Sequence, residues 1–305
     1  IAALLGLGMP IIQYFGLNVF LFNYYTSLTL HGAAMTFPFA FSLMVGVSIH
    51  RAGGCMGKKG NSIFVRLYFI FMNLGGLLFT LSVLSGFQIS YTVMYPLPVV
   101  GAQMGVWPMW SVVLGFTGIA LILISMIVLY PIAILRIIFF DKKYEELELS
   151  PRTLQDPGML GMLMAVLILI ITGLPLLTVA TAVLLYLYGI LPMAWITWAA
   201  EPVVFQFVFY IFAHNLMESM AIMIVSAVYG TLPLYLADGT RKLYSDKLAN
   251  AALWILLITS VTSFFHHFYT MFPALPSTFS YHGNVMSWGT GLGGAFTIFT
   301  ILATI

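Results

Sequence analysis

The amino-acid sequence predicts an all-α integral membrane protein, a polytopic bundle of about seven full transmembrane helices with an N-terminal stub. Three observations predict this class: 61% of the 305 residues are hydrophobic, only 7% are charged, and the basic residues gather in every second loop. Soluble domains carry about 25% charged residues, so this chain could not cover a water-exposed surface. The composition therefore excludes a secreted scaffold, a disordered chain and a nucleic-acid-binding protein.

Apolar runs bounded by charges, proline or glycine define the predicted spans. A membrane-crossing helix needs about 20 apolar residues, and the runs that meet this need are 25–49, 63–88, 105–138, 157–189, 203–236, 248–271 and 283–305, with a shorter stub at 1–9. No internal repeat or separate soluble segment interrupts them, which predicts one transmembrane domain over 1–305. Because both ends of the sequence lie in apolar runs, we expect this domain to be a fragment or a split part of a larger catalytic subunit.

The positive charges predict how the chain is oriented. All 11 Lys and Arg residues lie in or beside three alternating loops, at 50–62, 139–156 and 237–247. The positive-inside rule places these loops on the cytoplasmic side. Seven of the nine acidic residues lie in the same loops; the other two are Glu201, at an outer helix end, and Glu218, inside a span.

Residues that could bind a metal ion lie within the predicted spans. An ionisable side chain at membrane depth is costly unless it is paired, and Glu218 follows His214 by four residues, on the same face of one helix. His266 and His267 lie at a similar depth on an outward-running span. Three imidazoles and a carboxylate are a plausible ligand set for iron, copper or zinc. The alternative is a protonated Glu218 that bonds to His214 and serves packing alone.

A further histidine, His31, lies in the outer half of the first long span. It is followed by Gly32, Ala33 and Ala34, whose small side chains suit the close approach of a flat ring such as haem. The alternative is a core histidine that bonds to a threonine. The role of His282, at the outer end of the last span, stays open.

Hydroxyl groups continue from the candidate site toward the basic side. Thr262 and Thr259 precede His266 by four and seven residues, and Tyr229 follows Glu218 by eleven, on nearly the same helix face. These hydroxyls could hold waters that conduct protons. Alternatively, they bond to helix carbonyls or join helices together.

The pattern as a whole resembles subunit I of the haem-copper oxidase superfamily, most closely its B-type branch. The resemblance rests on Tyr-Tyr-x-x-Leu-Thr-Leu-His-Gly at 24–32, on His214 and on Phe265-His266-His267, with a Met94-Tyr95-Pro96 loop and a span that contains Trp107 in the same order.

The resemblance implies a role for each of these residues. His31 would be an axial ligand of the low-spin haem. His214, His266 and His267 would bind a non-haem metal opposite a high-spin haem. Tyr229, Thr259 and Thr262 match the proton route of B-type members.

Two departures from the family pattern refine the prediction. Oxygen-reducing members carry His-Pro-x-Val-Tyr, whereas this chain reads His214-Asn215-Leu216-Met217-Glu218. A Glu four residues after this His is typical of nitric oxide reductases, in which it joins three histidines on a non-haem iron. Against this, the further glutamates of those enzymes are absent, since 283–305 contains no acid. The family's later His-x-His pair is also absent, so we expect a second chain or segment to supply the remaining haem ligands.

The sequence thus predicts a respiratory oxidoreductase of a prokaryotic cell membrane, with the mitochondrial inner membrane as the second choice. It would reduce nitric oxide to nitrous oxide with a low-spin haem, a high-spin haem and a non-haem iron or copper. Its partners would be membrane lipid and an electron donor, either a donor subunit, cytochrome c or a quinol, with no nucleic acid. The alternatives are a terminal oxygen reductase, an NO dismutase and, from another class, a non-catalytic ion-conducting subunit.

Overall fold

The computed structural model describes residues 2–17, 23–55, 62–88, 107–140, 155–236, 242–268 and 277–305. These residues form helices joined by short turns, with no β-strand among them, and the all-α prediction is confirmed. Most of the predicted basic loops and the Met94-Tyr95-Pro96 motif lie outside the described residues.

Seven of the described helices are long and apolar enough to cross a membrane. We label them α2 (Tyr24–Gly53), α3 (Ile63–Leu84), α4 (Met109–Phe139), α5 (Pro157–Leu187), α6 (Pro202–Tyr235), α7 (Asp246–His267) and α8 (Ser277–Thr304). The shorter α1 (Ala2–Phe15) precedes them.

Two helix ends differ from the sequence prediction by more than four residues. The stub predicted at 1–9 continues to Phe15 because Pro10 lies inside α1 instead of ending it. Membrane helices tolerate such prolines when neighbouring groups satisfy the freed backbone. The last span begins at Ser277 and not at 283, since its polar first residues are helical. His282 is therefore a residue of α8.

The helices group into two compact units, which we describe one at a time. The first unit contains residues 1–43, 63–129 and 175–208. In it, α3 and α4 cross closely at Gly75 and Gly118, where a Cβ on Gly75 would lie 2.7 Å from the Gly118 carbonyl oxygen. Small residues permit this approach, and close backbone packing is a main source of helix association in lipid.

The second unit contains residues 44–62, 130–174 and 209–305. The most extensive helix–helix contact in this unit is between α7 and α8, which run antiparallel and pack closely at Gly289 and Gly293. Two hydroxyls attach α6 to α5: Ser226 donates to the Gly158 carbonyl, and Ser219 donates to the Ala165 carbonyl at 3.1 Å. The expectation of a single transmembrane domain stays a prediction.

Candidate metal centre

Three histidines of the second unit converge on one point. His214 comes from α6, and His266 and His267 come from the outer end of α7. One ring nitrogen from each lies within 4.8 Å of the others. The ring centroids are 4.9 Å apart for His214 and His266, 5.3 Å for His214 and His267, and 4.3 Å for the adjacent pair. The structure therefore brings together the three imidazoles that the sequence selected.

The helix type changes at the two adjacent histidines. The α-helical part of α7 ends at Ser263, and Phe264–His267 is a turn of 3₁₀-helix. Successive residues are about 120° apart in a 3₁₀-helix, against about 100° in an α-helix. The sequence predicted a regular α-helix here, so this tighter turn is a structural finding.

Neighbouring side chains orient two of the three rings. The Nδ1 atom of His266 lies 3.0 Å from the Ser287 hydroxyl on α8, which also donates to the Gly283 carbonyl at 2.7 Å. The ring of Tyr210 stacks on His267 with centroids 4.9 Å apart and planes 26° apart. With its Nδ1 bonded, His266 keeps Nε2 for a metal.

The third ring carries the observation that best supports a metal. The Nδ1 atom of His214 is buried and has no hydrogen-bond partner among the described residues. A buried polar nitrogen without a partner is costly, and a metal ion bound by that nitrogen would remove the cost. Neutral imidazoles suit iron, copper and zinc, so the residues fit the group.

Glu218 lies one helical turn after His214 on α6. The three-histidine group does not include its carboxylate. The carboxyl instead lies beside the Ser260 hydroxyl of α7, which is buried. Whether Glu218 serves as a fourth ligand therefore stays a prediction.

Thr259, Thr262 and Tyr229, the predicted hydroxyl track, contact α8 at several turns. The Thr259 hydroxyl bonds to the Ile255 carbonyl at 2.8 Å and to the Thr290 hydroxyl at 3.0 Å. Thr262 lies 2.9 Å from the Nε2 atom of His282.

Farther inward, the hydroxyl of Tyr229 lies beside Thr297 and Thr300 of α8. Its side chain is 2% exposed. Thus, all three predicted track residues contact α8, each at a different turn.

The sequence reading missed the contribution of α8. The polar residues of α8 that face α6 or α7 are Ser287, Thr290, Thr297 and Thr300. Their spacing of three, seven and three residues places them on one helix face, and this signal could have identified them.

Residues 1–305 match the family model described as Cytochrome C and Quinol oxidase polypeptide I. The chain belongs to this family. It is accordingly a haem-copper oxidase subunit I, a membrane respiratory oxidoreductase that binds haems and a metal centre and works with electron donors or other subunits. A comparison with curated proteins found no match.

Within this haem-copper oxidase subunit, His31 lies on α2 in the first unit. Its ring packs directly on Gly6 of α1, where a Cβ would come within 2.5 Å of the imidazole Cε1 atom. A glycine at residue 6 thus leaves the space that the ring occupies. The assignment of His31 to the low-spin haem stays a prediction.

Proposed function

We propose that this haem-copper oxidase subunit reduces nitric oxide to nitrous oxide. The observation that carries the proposal is Glu218, an acid within α6, four residues after a histidine of the three-histidine cluster. Oxygen-reducing relatives place a Tyr at this point of the motif. That Tyr supplies an electron and a proton to break an O–O bond, and nitric oxide contains no such bond.

The reaction needs little besides electrons and protons. Two molecules of nitric oxide take up two electrons and two protons, an N–N bond forms, and one oxygen leaves as water. When bound, the haems and the non-haem metal supply the electrons and the coordination positions for this coupling. The residues of this chain must hold the metal and deliver the protons.

Glu218 is proposed to serve both needs. A carboxylate added to three imidazoles is a hard oxygen ligand and favours iron over copper. The same carboxyl, beside the Ser260 hydroxyl, can accept a proton from the inner side and release it toward His214. Tyr229, Thr259 and Thr262 are proposed to hold the waters that bring protons to it.

The proposal assigns the remaining groups by the family pattern. His31 is proposed to bind the low-spin haem, and the metal of the three-histidine cluster is proposed to be iron. The axial ligand of the high-spin haem is proposed to come from a second chain or segment. The electron donor is proposed to be a cytochrome c, a quinol or a donor subunit in a prokaryotic cell membrane.

Oxygen reduction is the second candidate function. The family description names cytochrome c and quinol oxidases, and three histidines without an acid are a ligand set that suits copper. Under this candidate Glu218 stays beside Ser260 and only carries protons.

A substitution at Glu218 tests the proposal. In the purified complex, Glu218→Gln should lower the rate of nitrous oxide formation by about 10²-fold or more, the usual contribution of a positioned acid–base group. The measurement is nitrous oxide formed from isotopically labelled nitric oxide, with metal analysis of the same sample.

Glu201→Gln is the matched control. Glu201 is exposed at the start of α6, where its carboxylate accepts from the Val204 N–H at 2.7 Å, and the amide of Gln keeps an acceptor there. The control should keep the wild-type rate. Copper at the site, rapid oxygen consumption and no nitrous oxide would replace the proposal with the second candidate.

A further inference from the structure

The side chain of His282 belongs neither to the cluster nor to the predicted track, yet it contacts Thr262 of that track and Phe265, which directly precedes the paired histidines. It lies in the second turn of α8, and its Nε2 atom is 2.9 Å from the Thr262 hydroxyl of α7. We propose that His282 is a positioning residue for the metal centre, which fixes the 3₁₀ turn Phe264–His267 so that both of its histidines face His214. The inference rests on the metal site of the proposed function and is independent of which gas is reduced.

The 3₁₀ turn needs support from outside its own backbone. Its hydrogen bonds have poorer geometry than those of an α-helix, and such runs are short for that reason. It also follows eighteen residues of regular helix, Asp246–Ser263, whose pattern would otherwise continue. A return to α-helix would turn His266 and His267 by about 20° relative to each other.

Three residues of α8 contact the turn or the residue just before it. His282 bonds to Thr262, just before the turn, and its ring meets Phe265 edge-on at 5.6 Å. Gly283 lies against the backbone, where a Cβ would come 2.7 Å from the His266 nitrogen. Ser287 bonds to His266 itself.

Among these contacts, the bond from His282 is the one made at the end of the α-helical part of α7. Thr259, one turn earlier, bonds back to the Ile255 carbonyl and across to the Thr290 hydroxyl of α8. The Thr262 hydroxyl bonds across to His282, one residue before the α-helical part of α7 ends. This bond joins the last α-helical turn of α7 to α8 at the point where the helix type changes.

His282 is suited to this role because it offers both a polar and an aromatic contact. Its Nε2 atom bonds to Thr262 while its ring packs on Phe265, so one side chain holds residues on both sides of Phe264. Residues that orient metal ligands typically contribute a factor of about 10 to 100 in metal affinity.

The test uses the purified complex, stripped of its non-haem metal and titrated with Co²⁺, whose visible absorption reports the ligand geometry. His282→Phe keeps the ring contact and removes the bond, and Thr262→Val removes the other partner with little change of shape. Each variant should weaken Co²⁺ binding by about 10- to 100-fold and shift the cobalt spectrum. The double variant should be no weaker than either single one.

Two further variants separate positioning from general stability. His282→Gln should restore most of the affinity, because its amide can bond to Thr262. His50→Phe, at an exposed histidine far along α2 from His31, should leave the affinity unchanged. If His282→Phe fails to fold, Thr262→Val and the Gln variant still decide the question.

The outcomes distinguish this inference from the proposed function. Wild-type affinity and spectrum in both His282→Phe and Thr262→Val would overturn the positioning role while the metal site stands. Additive losses in the double variant would also overturn it, because they would show no coupling through the bond. A wild-type complex that binds no Co²⁺ would overturn both.

Discussion

At the residue scale, each histidine of the cluster has a different environment. Ser287 bonds to the Nδ1 atom of His266, Tyr210 stacks on His267, and the Nδ1 atom of His214 has no hydrogen-bond partner among the described residues. Such contacts fix which nitrogen of each ring is free to bind. The site is thus built from three rings in defined orientations, beyond the mere proximity of three residues.

The residue types of this cluster could be predicted from the sequence, and the contacts that support them only in part. His214, His266 and His267 were recognisable because ionisable groups are rare at membrane depth. The spacing of the α8 polar residues indicates the helix face that carries Ser287, but which α7 residues Ser287 and His282 contact depends on the register between α7 and α8, which no local pattern specifies. The fourth ligand, Glu218, stays a prediction.

His31 and His266 are predicted to serve different groups, and single substitutions separate them. His31→Ala should remove the low-spin haem signal, because an axial ligand is lost. His266→Ala should abolish turnover and release the non-haem metal while the low-spin haem signal stays. Optical spectra and metal analysis of the two purified variants check this. Full activity in both variants would show that the assignments are wrong.

At the element scale, the lengths of the apolar runs predicted the seven long helices correctly, whereas some helix ends differ from the prediction. All seven long spans are present, but α1 continues through Pro10 and α8 begins six residues before the predicted 283. Both errors have one cause: the reading treated proline and polar residues as breaks, whereas tertiary contacts can hold them in a helix. The 3₁₀ turn Phe264–His267 was missed for a different reason, because hydrophobic length does not distinguish a 3₁₀-helix from an α-helix.

The crossing of α3 and α4 is predicted to depend on its glycines. Gly75→Ala would place a Cβ 2.7 Å from the Gly118 carbonyl oxygen, closer than packed atoms allow. Overpacking of this kind costs about 1 to 3 kcal/mol, so the melting temperature in detergent should fall.

Gly76→Ala is the matched control for this crossing, because nothing lies within 4 Å of a Cβ at residue 76. Alanine favours a helix over glycine by about 1 kcal/mol, so the control should melt at the wild-type temperature or above. Equal melting temperatures for the two variants would contradict the close crossing.

At the scale of the whole molecule, few charges determine how the chain lies in the membrane. The 11 basic residues follow the positive-inside pattern, and membership of the haem-copper oxidase family makes the chain an integral membrane protein. The orientation itself is still a prediction from charge.

The single cysteine offers a direct check of that orientation. Cys55 follows the last residue of α2 by two positions, on the inner side by the charge rule, and no other cysteine is present in the sequence. A membrane-impermeant maleimide should therefore label the chain in inside-out vesicles and not in intact spheroplasts. Labelling of spheroplasts alone would reverse the predicted orientation.

The central claim joins the three scales: Glu218, four residues after His214 of the three-histidine cluster, is proposed to make nitric oxide the substrate of this respiratory membrane enzyme. The most direct test is the gas balance of the purified complex together with the identity of its non-haem metal. The account predicts one nitrous oxide formed for every two nitric oxide consumed, with iron at the site. Oxygen consumption without nitrous oxide, with copper at the site, would contradict it.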